Sequence, residues 1–293
     1  MAPRQENEDR PSMTDTAALD TRAWVDHWDR LGEGWDKWAD RLAQQAEGLN
    51  QPLIAAAGVG AGDRVLDLAS GTGEPALSLA KVVGAQGRVV ATDPAPRMLA
   101  GLRRRAEQAG LGNLSVEAAE MQDLPFADAS FDRVTCRFGI MFVPDAARAF
   151  AEVRRVLRPG GSAAFMVWGP QSDNAVLGTV IAWGVRRFGT SDAARYEAPF
   201  GYGAAGRLAD AMQAGGLQAT EERELRFTPE VDAAVPFWRP PLGMTFGPEM
   251  EQLAEAERHA ADADLKAAFA AFLDGGVYRL PMHVRIGIGH AGS

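Results

Sequence analysis

Apolar positions between residues 65 and 168 alternate between two rhythms. Val65, Leu66 and Leu68 make a near-continuous apolar run. A strand reads this way when both faces of a parallel sheet are covered. Gly71, Thr72 and Gly73 follow, then Ala76, Leu77, Leu79 and Ala80 at helical spacing. The unit is strand, glycine loop, helix. Pro75 suits the first helical turn, where a missing N–H costs nothing. Gly71 and Gly73 let the backbone turn sharply and approach a ligand closely. The alternation then repeats, with strands predicted over 88–92, 114–117, 131–137 and 162–168 and helices over 94–109 and 145–157. Strands over 217–227 and 283–288 follow later. The fold class is α/β, a doubly wound, mostly parallel sheet.

Ahead of this core lies an aromatic stripe: Trp24, Trp28, Leu31, Trp35, Trp38 and Leu42, in steps of three and four. It docks a helical segment onto the core. Gly32 and Gly34 predict a break into two helices, with a further short helix over 49–57. Residues 1–21 are polar and charged and predict disorder. Met13 is a second candidate start. Beyond the core, 171–188 and 208–214 predict helix, 191–202 a loop, and 248–274 helix with Leu265, Phe269 and Phe272 on one face. The expected divisions are a tail (1–21), an N-terminal helical lid (22–62), a core (63–168), and helical cap insertions with the last two strands (169–293).

Composition narrows the chemistry. The chain has 293 residues, 46% hydrophobic and 24% charged, ordinary for a globular protein. A formal net charge of -9 argues against sequence-independent binding of nucleic acid, which needs cations at phosphates. The runs Arg103–Arg105 and Arg154/Arg155 read as solvated helix faces. Cys136 is the only cysteine, so no internal disulfide forms and a cytoplasmic setting is expected. It reads as a small buried apolar group. His27, His259, His283 and His290 show no metal-ligand spacing, and no metal is expected. No run approaches the ~20 apolar residues of a membrane span.

The glycine loop, Gly71-x-Gly73-x-x-Ala76, also fits a dinucleotide fingerprint. The charges around it point elsewhere. Helix N-termini attract phosphate. Glu74 at that position would repel a pyrophosphate and tolerate a ligand carrying ammonium and sulfonium groups. Asp67 adds a second acid. The alternative is that Glu74 caps its helix and Asp67 orders the loop. Asp93, about 20 residues past the loop, stands where an acidic side chain binds ribose hydroxyls.

Five marks in order, VLDLASGTGE, VVATDPAPRML, AAEMQDLPF, FDRVTCRFGIMF and EVRRVLRPGG, resemble the class I methyltransferases that use S-adenosylmethionine. The subgroup is similar to the ubiquinone/menaquinone biosynthesis methyltransferases. The resemblance covers residues 35–168 and implies a Rossmann-like methyltransferase fold with S-adenosylmethionine as cofactor. It implies that Asp67, Ser70, Gly71 and Gly73 line the methionine part and that Asp93 takes both ribose hydroxyls. Met98 or Pro94 would pack on adenine. Glu120 would accept from its amino group, and the Met121 N–H would reach the ring. Arg137 would offer its backbone near the methionine end. Trp35 stands where relatives often show a Tyr, leaving a lid without the phenol. Met98 also reads as core, and Glu120 as a solvated turn residue.

The expected reaction is methyl transfer to a small, largely apolar acceptor on oxygen, nitrogen or carbon. Its pocket would be built from the Trp-rich helices, the 138–142 loop and Trp168, Trp183, Phe200, Phe237, Trp238 and Phe246. His27, His259, His283, Tyr196 and Tyr202 are the candidate bases, none in a diagnostic context. Two rivals stand beside this: a catalytically silent S-adenosylmethionine-binding regulator, and an NAD(P)-dependent oxidoreductase.

Overall fold

A computed structural model describes residues 20–189 and 193–292. The run 65–68 becomes the fully buried part of strand β1 (Arg64–Leu68), preceded by helix α1 (Thr21–Ala57). The core continues with α2 (Ala76–Val83), β2 (Arg88–Asp93), α3 (Pro96–Gln108), β3 (Leu114–Ala118), β4 (Phe131–Arg137), α4 (Ala146–Val156) and β5 (Leu157–Trp168). Then come α5 (Ala175–Phe188), α6 (Ala193–Glu197), α7 (Arg207–Ala214) and β6 (Gln218–Phe227). The chain ends through β7 (Glu230–Asp232), α8 (Arg239–Glu251), α9 (Glu255–Ala268), β8 (Leu273–Asp274), β9 (Val277–Arg279) and β10 (Met282–His290).

The main sheet runs β3-β2-β1-β4-β5-β10-β6. Pairings among β3, β2, β1, β4 and β5 are parallel, and β10 is antiparallel to both β5 and β6. The fold is therefore doubly wound and mostly parallel, as expected. Successive residues of β1 serve opposite layers: Leu66 and Leu68 pack with Phe150, Val153 and Phe165, while Val65 packs with Leu79, Val89 and Leu102. Strand order reverses at β1, between β2 and β4. Ligands of open α/β sheets bind outside the carboxyl ends of the strands at such a point.

Helix α1 corrects the expected break at Gly32 and Gly34. It is one helix of 37 residues, and 49–57 is its last stretch. Asp20 caps its start by accepting from the Ala23 N–H (2.8 Å). Gly58, in the left-handed conformation, closes its end. The two internal glycines serve close approach. A Cβ on Gly32 would sit 2.5 Å from Arg97 Cβ, and one on Gly34 2.8 Å from the Gly243 carbonyl oxygen. They let α3 and α8 press against α1.

The remainder differs more. Residues 193–200, expected as loop, form α6 and a 3-10 turn. The helical run expected over 248–274 is divided: α8 begins at Arg239 and is bent at Phe246, and α9 follows after a break. The three-stranded sheet β7-β9-β8 was not expected. Trp183, Trp238, Phe246, Phe269 and Tyr278 form a separate apolar core under these segments. The predicted disorder of the N-terminal tail falls almost wholly on residues 1–19, outside the described residues.

Candidate functional site

Ser70 and Gly71 leave the carboxyl end of β1 in a turn fixed from below. Asp67, fully buried, accepts from Ser70 Oγ and Thr135 Oγ1, both at 2.6 Å. Burial raises its carboxyl to about 7, against the pull of these hydroxyls and Arg137. Ala69 and Gly71 both take positive φ (50° and 52°), a conformation that costs a non-glycine residue energy and is often kept at functional sites.

Three of the loop's N–H groups, those of Ser70, Gly71 and Gly73, are used within the protein. Ser70 N donates to the Thr92 carbonyl (2.8 Å), Gly73 N to the Ser70 carbonyl (2.8 Å) and Gly71 N to Asp93 Oδ2 (3.0 Å). The other oxygen of Asp93 accepts from Ala95 N (2.9 Å). Burial raises the Asp93 carboxyl to about 6 despite these two bonds.

Beside this turn opens a cavity of about 230 Å³. Trp35, Ser70, Gly71, Asp93, Pro94, Met98, Glu120, Met121 and Arg137 all line it, from six separate segments of chain. Two expected residues do not. Asp67 lies behind the wall and orders the loop. Gly73 faces inward, where a Cβ would sit 3.0 Å from Leu77 and Leu102 methyls and 3.2 Å from Arg105 Nη1. Met98 is both core and wall, with 3% exposure. Glu120 is exposed at the rim. The Trp35 indole N–H donates to the Met244 carbonyl (3.2 Å), so it ties the lid to α8.

Glu74 also lines the cavity, but not as a lone negative charge. Its Oε1 pairs with Arg105 Nη2 at 3.0 Å, and the two side chains are 12% and 5% exposed. Arg105 further reaches Asp40 (3.0 Å) and the Thr72 carbonyl (2.8 Å). Arg105 is therefore a buried partner of the site rather than part of a solvated face. Asn50, fully buried on α1, donates to Glu74 Oε2 (2.6 Å) and accepts from Arg137 Nη1 (3.0 Å). Arg105 and Asn50 were not expected here. The sequence signal for Arg105 was an acidic stripe on α1, Asp29, Glu33, Asp36 and Asp40, matching the basic run of α3; Asn50 carried none. Arg155 is likewise no solvated residue: it donates to the carbonyls of Leu124 (2.9 Å) and Phe126 (2.6 Å).

A second cavity of about 240 Å³ adjoins the first. Trp28, Trp35, Phe138, Phe142 and Met244 line both. Trp168 lines the second, stacked on Phe138 at 4.1 Å between centroids. The other expected aromatics do not. Trp183, Phe237, Trp238 and Phe246 are taken up by the separate apolar core, and Phe200 lies off the wall. Among candidate bases, His27 and Tyr196 line this cavity. Burial and the charges of Arg195 and Arg30 push His27 down to about 4, so it is neutral near pH 7. His283 is buried against Asp173 (3.0 Å), away from both cavities, as are Tyr202 and the exposed His259. Burial pushes the Cys136 thiol up to about 12, so it is inert. Among the described residues no cluster of three or more His, Cys, Asp or Glu could hold a metal, and no helix is long and apolar enough to cross a membrane.

Residues 65–161 match a family model described as a methyltransferase domain. The chain is 47% identical over 116 residues to an uncharacterized protein of Mycobacterium tuberculosis (strain ATCC 25618 / H37Rv), covering 40% of this chain and 41% of that one. It is 44% identical over 109 residues to the ubiquinone/menaquinone biosynthesis C-methyltransferase UbiE of Francisella philomiragia, covering 37% of this chain and 44% of the relative. The chain thus spans less than half the length of these relatives. Among solved structures, the YcgJ protein of Bacillus subtilis is similar at a TM-score of 0.56 and 19% identity, covering 85% of this chain and 99% of that one. That likeness concerns the fold. The match over 65–161 agrees with the family resemblance carried by the five motifs.

Proposed function

We propose, from the premise that residues 65–161 form a methyltransferase domain, that this protein holds S-adenosylmethionine in the first cavity. It transfers the methyl group to a small, largely apolar acceptor in the second. The observation that carries this reading is the wall common to both cavities, Trp28, Trp35, Phe138, Phe142 and Met244. An in-line displacement needs donor and acceptor sites that meet at one point, and a concave apolar pocket suits a small organic acceptor.

The residues fit such a cofactor. Each Asp93 oxygen uses one lone pair on a backbone N–H and keeps capacity for a ribose hydroxyl. Pro94, Met98 and Met121 make an apolar slot for adenine, with the Glu120 carboxylate at its rim. Ser70 and Gly71 would line the methionine part. The cofactor supplies the activated methyl when bound, and the protein's task is alignment. Holding nucleophile and methyl in a near-attack geometry supplies ~7–11 kcal/mol of the barrier. The aromatic wall excludes water from that point. Of the candidate bases, His27 and Tyr196 line the acceptor cavity; His27, lowered to about 4, is neutral at pH 7 but a weak proton acceptor, which suits an acceptor that ionises easily.

The nicotinamide rival loses support on the backbone. A pyrophosphate site presents loop N–H groups to the ligand, and here those of Ser70, Gly71 and Gly73 are committed within the protein. This replaces the expected role of Glu74, whose charge Arg105 neutralises.

Thermal shift with S-adenosylhomocysteine and with NADH separates the readings. Ligand at 100 times its dissociation constant should add about 2.7 kcal/mol. Stabilisation by NADH alone overturns the proposal. Cell-extract metabolites incubated with isotope-labelled cofactor should yield a labelled small molecule. Cofactor binding without turnover on any acceptor supports the silent-regulator rival, and labelling of tRNA or histone alone removes the small-molecule acceptor.

A further inference from the structure

The second cavity is walled by distant parts of the chain. His27 and Trp28 reach it from α1, Phe138 from just past β4, Trp168 from the end of β5 and Arg195 from α6. Its charge is one-sided. Among the described residues that line it there is no Asp, Glu or Lys, and Arg195 is the one charged side chain. Glu74, Asp93 and Glu120 line the first cavity only, and the five residues common to both carry no ionisable group.

Arg195 has other partners in the chain, yet its charge still reaches the cavity. Burial first, then the charges of Arg195 and Arg30, keep the His27 imidazole neutral. That ring is packed edge-on against Trp24 (5.7 Å) and Trp28 (5.4 Å). On the opposite strand ends, Phe138 and Trp168 stack in parallel at 4.1 Å and give the wall a flat aromatic element.

Three kinds of acceptor meet this wall differently. A basic amine arrives protonated and needs both a carboxylate partner and a base to free its lone pair. The wall offers a like charge instead. A neutral phenol needs a base matched to it, and a histidine pushed down to about 4 is too weak. An acid that arrives ionised needs neither. If its charge is spread over a planar system, an apolar wall penalises it least, and a guanidinium offsets the remainder. Neutral His27 still has one N–H to donate to an anionic oxygen.

We infer that the acceptor is a planar organic anion, an enol or phenol acidic enough to enter ionised, held with its charge toward Arg195 and His27 and its ring against the Phe138–Trp168 pair. The inference rests on the methyl-transfer reading and names the acceptor class for it. In the transfer step the anion's lone pair forms the new bond to the methyl carbon. The carbon–sulfur bond breaks and its electron pair stays on sulfur. A negative and a positive charge cancel, and no proton moves. His27 is then a hydrogen-bond donor rather than a base.

The test titrates the full chain, saturated with S-adenosylhomocysteine, with three probes built on one bicyclic frame. They are 4-hydroxycoumarin, an enolate at pH 7, coumarin itself, which is neutral, and an aminomethyl coumarin, which is a cation. Wild type should bind the enolate about tenfold or more tighter than coumarin, and the cation weakest. Arg195→Met, which keeps the apolar stem, should erase the preference for the enolate and leave coumarin within about threefold of wild type. Equal affinity of wild type for enolate and cation overturns the inference and needs no variant to fold. So does failure of all three probes to bind while S-adenosylhomocysteine binds. In cell extract given isotope-labelled cofactor, the labelled product should pass a cation exchanger at pH 7; a retained, methylated amine overturns the inference. Failure of S-adenosylhomocysteine itself to bind overturns the methyl-transfer reading and takes the inference with it.

Discussion

Replacing Asp67 by Asn should change how stability depends on pH. Asp67 is fully buried at the end of β1, and its carboxyl is raised from 3.8 to about 7. Burial is the largest cause; the hydroxyls of Ser70 and Thr135 and the charge of Arg137 oppose it. Below the unfolded value of 3.8 both states carry the proton and the group adds no pH dependence. Between 3.8 and about 7 the unfolded chain releases the proton while the folded chain keeps it. The folded state binds more protons there, so stability falls as pH rises, by about 1.4 kcal/mol per pH unit. The full window amounts to about 4 kcal/mol, and the part between pH 5 and 8 to about 3 kcal/mol. Asn keeps the shape and cannot ionise. Urea unfolding of both chains at pH 5 and pH 8 reads the difference. Asp93 and His27 titrate in both chains and cancel. Wild type should lose about 3 kcal/mol relative to Asp67→Asn on going from pH 5 to pH 8. Parallel curves, within about 1 kcal/mol, would falsify the view that burial dominates here. A wild type that gains on the variant with rising pH would mean Arg137 and the hydroxyls outweigh burial.

Glu74→Gln breaks a buried ion pair. Removing one partner typically costs about 3–5 kcal/mol, and the low end is expected because Arg105 keeps Asp40 and the Thr72 carbonyl. A urea midpoint close to wild type counts against the pair. Asp93→Asn leaves one of its two backbone donors, Gly71 N or Ala95 N, facing an amide nitrogen, at a cost of about 1–3 kcal/mol, and should weaken both S-adenosylhomocysteine and 5′-methylthioadenosine about tenfold or more by removing a charge-assisted acceptor. Unchanged affinity in titration calorimetry would move the ribose elsewhere. Gly32→Ala forces a Cβ to within 2.5 Å of Arg97 Cβ, so α1 must shift from α3 at a cost of about 1–3 kcal/mol. An unaltered melting temperature would show that the two helices do not need that closeness.

Local rhythm made the sheet legible. Strands such as Val65–Leu68 announce themselves by apolar runs bounded by glycine, and Asp93 by its distance from the loop. Seven of the nine expected residues that line one cavity meet there because they sit at or just past the ends of parallel strands; Trp35 and Met98 arrive on α1 and α3. What misled the reading was contact between elements far apart in sequence. Gly32 and Gly34 read as breaks, since local propensity disfavours glycine in a helix by about 1 kcal/mol. Their reason lies in Arg97 and Gly243, on other helices. Trp183, Trp238 and Phe246 were apolar enough for a binding pocket, and the cap needed them for a core of its own. Composition cannot separate those two uses.

Charge shows the same limit. Glu74 alone suggests a crevice that welcomes cations and repels diphosphates. The structure pairs that charge with Arg105, and the N–H groups of Ser70, Gly71 and Gly73 are already in use. The partner could be sought in sequence only by matching two helices at once. On α1, Asp29, Glu33, Asp36 and Asp40 recur at steps of three and four. On α3 they meet Arg97 (3.8 Å to both Asp29 and Glu33), Arg104 (2.7 Å to Asp36) and Arg105 (3.0 Å to Asp40). Exposed pairs of this kind contribute little singly, about 0–1 kcal/mol. Their effect is positional: they hold the acidic face of α1 against α3, so that its tryptophan face closes both cavities. A lid fixed through one face and working through the other explains why its sequence carries two stripes, only one of which is apolar.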